Sequence, residues 1–140
     1  MKLSKENYSG DIHKKIIVSA ENGRSHVAKN PSGKYEVRHY RLDGEIVKYE
    51  KCCDFLLLND SLLNAYFIEL KGCDFLHAVE QVQAAEQIFK EDVANYTKLY
   101  RIVTSKTRTQ DFNSAKFRHF QRSVGKENII CKTNKIEETL

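Results

Sequence analysis

Two apolar runs separated by a short polar loop dominate the middle of the chain, between Lys51 and Gly72: KCCDFLLLNDSLLNAYFIELKG. The first run carries Phe55, Leu56, Leu57 and Leu58. The second carries Ala65, Tyr66, Phe67, Ile68 and Leu70, with Asn59 to Asn64 between them. Runs that are apolar at nearly every position belong to strands covered on both faces. Three charges interrupt them, Asp54, Glu69 and Lys71, and charges are almost never placed there without a partner or a task.

Register sharpens the point. If the six-residue loop closes a hairpin with Leu58 opposite Ala65, then Leu56 opposes Phe67 and Asp54 opposes Glu69. Lys71 shares the face of Glu69. Directly opposed residues have Cβ atoms about 4.5–5.5 Å apart. Two carboxylates about 5 Å apart repel by roughly 3 kcal/mol at an effective dielectric of about 20. A lysine beside them offsets part of that, and a divalent cation reverses its sign, so the pattern makes physical sense as a metal site. The structural alternative is a buried Asp–Lys–Glu cluster without metal, which costs stability. A one-residue slip of register would turn Asp54 to the other face.

Asp54, fourteen residues, then Glu69-Leu70-Lys71 resembles the D…ExK signature of the PD-(D/E)XK nuclease superfamily. The resemblance spans roughly Lys34 to Ser105. One departure is Cys53, where that signature often has a proline. The resemblance implies an α/β, restriction-endonuclease-like fold: a mixed central sheet flanked by helices, with a strand–helix–strand crossover after the ExK strand. It implies a nuclease that hydrolyses phosphodiester bonds of nucleic acid, with DNA the expected partner. Asp54, Glu69 and Lys71 would be catalytic. Asp54, Glu69 and the backbone carbonyl of Leu70 would hold Mg²⁺, with Mn²⁺ able to substitute, while Lys71 assists the attacking water. Two accessory candidates follow: Gln81 in the helix after the signature, and Glu21, from the first helix that precedes the sheet in the family. The competing reading is a solvated residue, which for Glu21 is the favoured one and for Gln81 is at least as good.

The chain in order supports one domain over residues 1–140. Residues 1–9 are a polar start. Over 10–21, Ile12, Ile16, Ile17 and Ala20 form a stripe at helical spacing and predict a helix, although Ile16-Ile17-Val18 would also suit a strand. Residues 22–33 are loop by composition, with His26 as a surface histidine. Residues 34–50 predict a hairpin turning at Leu42-Asp43-Gly44. Asp74 caps a helix running to about Asn95, with Ala78, Val82, Ala85 and Phe89 on one stripe. Lys98 to Thr104 is the next strand, and an unbroken strand–helix–strand implies a right-handed crossover and a parallel pair. That topology places the loop Ser105 to Thr109 at the sheet edge holding Asp54, so Lys106 and Arg108 become phosphate-contact candidates. A helix over 110–125, a short strand over 128–132 and a polar tail complete the chain.

The net charge of +4 is too mild to imply nucleic acid by itself. Its distribution is more telling: from Lys98 to Lys135 ten Lys or Arg face only Asp111 and Glu127, the footprint expected of a nucleic-acid surface. Arg118 and Arg122, on the helix over 110–125, join the candidates for nucleic-acid binding. The plain alternative is a solvated basic face. No run approaches the ~18 apolar residues of a membrane span, and MKLSKENYSGD lacks the apolar core of a signal peptide. A cytoplasmic protein without a membrane partner is expected, and a homodimer is open. Cys52, Cys53, Cys73 and Cys131 form no CxxC pair and are expected as buried free thiols. Two other classes stay open: a catalytically silent nuclease-fold domain that binds nucleic acid or protein, and a zinc-stabilised module using Cys52, Cys53 or Cys73.

Overall fold

A computed structural model of the protein describes residues 2–3, 9–71, 74–106 and 109–140, with Lys71 and Thr109 described in backbone only. Its centre is the hairpin of the two apolar runs. Strand β4 (Phe55–Asn59) pairs antiparallel with β5 (Asn64–Lys71), Leu58 opposite Ala65 and Leu56 opposite Phe67. The loop between them is shaped by Asn59, whose side-chain oxygen accepts the N–H groups of Ser61 and Leu62 at 3.1 Å. Strand β3 (Val37–Arg41) lies antiparallel to β4 on its other side. After β5, helix α1 (Phe75–Ile88) carries the chain across to β6 (Thr97–Thr104), parallel to β5. Helices α2 (Thr109–Phe112) and α3 (Ala115–Val124) then lead to β7 (Ile129–Thr133), parallel to β6. The result is a mixed five-stranded sheet of order β3-β4-β5-β6-β7. The protein is of the mixed α/β class.

Both faces of this sheet are covered, as the apolar character of β4 and β5 requires. On one face Leu56, Leu58, Phe67 and Tyr100 pack against Val79, Val82 and Phe89 of the α1 region and Phe117 and Phe120 of α3. On the other, Leu57, Tyr66, Ile68, Leu70 and Val103 pack against a second, three-stranded sheet. That sheet has the order β1-β2-β8: β1 (Ile16–Glu21) antiparallel to β2 (Arg24–Lys29), and β2 parallel to β8 (Lys135–Thr139).

Several expectations are corrected. Residues 10–21 give no helix among the described residues; the β-branched Ile16-Ile17-Val18 prevails and Ile17 and Ser19 alternate inward. The expected helical stripe is split: Ile12, Ile16 and Ala20 are exposed, whereas Ile17 is buried. Residues 22–33 contain β2, entered through a tight turn with φ of 49° at Asn22 and 80° at Gly23, the left-handed pair that Asn-Gly favours. His26, expected at the surface, is fully buried. The hairpin over 34–50 has only its first strand. After β3 the chain coils so that Leu42 C=O accepts the N–H groups of Ile46 and Val47 at 3.0 and 2.9 Å, and the more apolar β4 takes the place beside β3. The helix over 74–95 ends at Ile88. The helix over 110–125 is divided, because Ser114 caps a new start by accepting the Phe117 N–H at 3.2 Å. The polar tail contains β8. Among the described residues no helix is long and apolar enough to cross a membrane.

Candidate active site

The β4–β5 register runs as the loop length predicts as far as Phe55–Ile68, and Asp54 and Glu69 are the next residues beyond that pair. The Asp54 carbonyl accepts the Leu42 N–H at 2.8 Å, which ties it to the end of β3. Its carboxylate accepts the Leu70 N–H, also at 2.8 Å. Asp54 thus stands at the edge where β5 and β6 end, fastened by its backbone to one neighbouring strand and by its side chain to the other. Glu69 is 1% exposed. It shares the helix-covered face with Phe67, since side chains alternate along β5.

A polar cleft of about 300 Å³ opens over this edge, lined by Glu21, Asn22, Arg24, Asp43, Asp54, Glu69, Leu70 and Gln81. Three elements converge on it: the tip of the β1–β2 hairpin, the turn after β3, and α1. Burial is the main reason that the Asp54 carboxyl is pushed up to about 6; the Leu70 N–H opposes this, and the negative charges of Glu21 and Asp43 add to it. Glu21 is steadied on its other side by Arg41, whose guanidinium nitrogen lies 3.8 Å away. The Gln81 side-chain oxygen is buried and has no hydrogen-bond partner among the described residues.

Asp54, Glu69, Leu70, Gln81 and Glu21 are therefore brought together. Glu21 arrives from a strand and not from a leading helix. Asp43 and Arg24 belong to the cleft too, and both escaped sequence reasoning. Asp43 carried a signal: the turn after a strand antiparallel to β4 must lie beside the start of β4. Arg24 carried none without the β2 assignment. The Lys71 backbone pairs with Thr104 at the same edge; its side chain, and Arg108 and Cys73, lie outside the described residues. Lys106 is exposed just beyond β6.

Arg118 and Arg122 are exposed on α3. With Gln121 and Lys126 they line a separate shallow depression of about 280 Å³ and do not line the cleft. The basic C-terminal third is not uniformly a surface. Arg101 is buried, 2.7 Å from a Glu138 oxygen, and Lys116 is drawn onto Glu80 together with Lys51.

Cys52 and Cys53 are buried free thiols. Burial above all, with Cys52 and the nearby Glu69 and Asp54, raises the Cys53 thiol well above its ordinary range, which opposes the thiolate that zinc requires. Among the described residues no three His, Cys, Asp or Glu side chains are spaced to hold an ion by themselves. A site of two carboxylates and a backbone carbonyl does not call for three. Comparison of the chain with protein-family models, with curated proteins and with solved structures found no match.

Proposed function

We propose that the chain is a metal-dependent nuclease of restriction-endonuclease-like fold, cutting phosphodiester bonds of nucleic acid, DNA first. One observation carries this reading: Asp54, just before β4, and Glu69, on β5, line one polar cleft at the carboxyl edge of the parallel pair β5–β6. Ligands of open sheets with such crossovers bind at that edge. The antiparallel run β3-β4-β5 followed by the crossover to β6 supports the fold that the D…ExK spacing suggests.

The donor set fits a hard cation. Its members are carboxylate and carbonyl oxygens, which suit Mg²⁺ better than a thiophilic metal. Asp54 faces the charges of Glu21 and Asp43, a repulsion that a cation would turn into attraction, and the Gln81 oxygen adds a buried acceptor. Asp54, Glu69 and the Leu70 carbonyl would be its protein ligands. When bound, the ion lowers the pKa of a water and neutralises charge at the phosphate. The Leu70 N–H holds one oxygen of the Asp54 carboxylate and so orients it. The Lys71 ammonium stabilises charge developing on the attacked phosphate and orients the water. Lys106 and Arg108, after β6, hold the flanking phosphates.

The test is incubation of supercoiled plasmid, linear duplex, single-stranded DNA and RNA with the protein and Mg²⁺ or Mn²⁺. Cleavage that EDTA stops and Asp54→Ala abolishes is expected. Binding of nucleic acid without cleavage under any of these conditions would replace this reading with that of a silent nuclease-fold domain.

A further inference from the structure

Strand β1 is the edge of the three-stranded sheet, and among the described residues it pairs with β2 alone. Edge strands normally carry a device against pairing with another chain: an inserted charge, a proline or a bulge. Ile16 to Ala20 has none of these, and its pairing with β2 runs unbroken over six residues. Its outer face is apolar as well. Ile16 is 54% exposed and Val18 49%, and Ile12, leading into the strand, is 40% exposed. Such a patch on an open edge marks an interaction surface.

The occupant is legible from the charges at the two ends. Lys15 precedes the strand and Glu21 ends it. We infer that two copies of the chain pair antiparallel along β1, about a two-fold axis at Val18, fusing their three-stranded sheets into one of six strands. In that register Val18 opposes Val18, Ile16 opposes Ala20 of the second copy, and Lys15 opposes its Glu21, twice over. A register centred on Ile17 or on Ser19 leaves Lys15 opposite an uncharged residue. Opposite charges directly across a strand pair stabilise it, whereas like charges oppose it.

The pairing also bears on the cleft. Glu21 lines it beside Asp54, so the second copy would bring an ammonium to the rim of each cleft. The interface needs no assumption about catalysis.

Sedimentation equilibrium of the full chain over a range of concentrations tests it, with circular dichroism to verify the fold of each variant. A monomer–dimer equilibrium is expected. Val18→Lys, which sets two like charges face to face on the axis, should weaken dimerisation by roughly tenfold or more. Lys15→Glu should weaken it too, and the exchange Lys15→Glu with Glu21→Lys should restore it. A parent that stays monomeric throughout would overturn the inference, as would a folded Val18→Lys that dimerises like the parent. A charge exchange that fails to rescue Lys15→Glu would overturn the register.

Discussion

His26 Nε2 and a Glu138 carboxylate oxygen lie 2.7 Å apart between the two sheets, although 112 residues separate them in the chain. The same carboxylate takes two hydrogen bonds from Arg101, at 2.7 and 3.1 Å, and the guanidinium carbon lies 5.4 Å from the centre of the Tyr66 ring. One acidic side chain therefore fastens β8 to β2 in its own sheet and to β6 in the other. Removing one member of a buried ionic group leaves the rest uncompensated, at about 3–5 kcal/mol. Glu138→Gln should lose stability on that scale, read as a fall in the denaturant midpoint at neutral pH.

The same group gives an acid limb. Burial acts to raise the Glu138 carboxyl, but the bonds from His26 and Arg101 outweigh it and hold it at about 2. An unfolded-chain glutamate titrates near 4.5. The contribution is thus complete above pH 4.5 and is lost as the pH falls toward 2. The gap in stability between the parent and Glu138→Gln should shrink across that window.

His39 sets a second and higher limb. Burial first, then the charges of Lys14 and His26, push its imidazole down to about 4. Its ring stacks on Phe55 at 5.2 Å and meets Ser19 Oγ at 2.8 Å. The unfolded chain takes up this proton near 6.5 and the folded one near 4. The His39 contribution should therefore fall as the pH drops from 6.5 to 4 and be flat above 6.5, opposed over part of that window by the raised Asp54 carboxyl. His39→Gln, followed by chemical denaturation at several pH values, should flatten this limb and leave the lower one in place.

At the cleft, Asp54→Asn keeps an acceptor for the Leu70 N–H while deleting the charge. Since the folded carboxyl is raised to about 6, the ionised form costs stability at neutral pH, and Asp54→Asn without metal should melt higher than the parent. Mg²⁺ should raise the melting temperature of the parent and leave the variant unmoved, and the variant should not cut. If both cut equally, the assignment of Asp54 is wrong.

Lys71 and the loop after β6 are assigned the remaining roles in the proposed reaction. Lys71→Ala should bind metal and nucleic acid nearly normally yet cut slower by roughly two or three orders of magnitude, the usual effect of removing transition-state charge stabilisation. Lys71→Arg should rescue little, because a planar guanidinium does not replace a compact ammonium. Single-turnover cleavage beside metal titration separates these effects. Replacing Lys106 and Arg108 with Ala should reduce the log–log salt slope of duplex binding by roughly 0.9 for every phosphate no longer neutralised.

How much of this was legible depended on how local each constraint is. The Leu58–Ala65 register, and with it the presence of Asp54 and Glu69 at one end of the hairpin, follows from two apolar runs and one short loop, all within a few residues of each other. The crossover from β5 through α1 to β6 is similarly local. Strand β1 was disguised, since Ile12, Ile16 and Ala20 fall at helical spacing, and only the partner sheet reveals that Ile17 and Ser19 are the inward residues. Strand β8 has one buried apolar residue, Ile136. Its main buried polar anchor is Glu138, whose partners His26 and Arg101 lie far off in the chain, as does its ladder partner β2. Asp43 joins the cleft because β3 pairs with β4 and not with the segment after its own turn, a competition decided by burial across the whole sheet.

The parallel pairing of β2 with β8 has a consequence for the order of assembly. A contact between segments this distant must close a long loop before it gains anything, which is slow compared with joining neighbours. The hairpin β4–β5 and the unit β5–α1–β6 need no such wait. The two carboxylates thus stand among contacts that close over short loops, whereas the wall bearing Glu21 and Arg24, itself a local hairpin, gains its β2–β8 support only over a long one. Pairing of β2 with β8 is therefore the slow contact on which the full support of that wall depends.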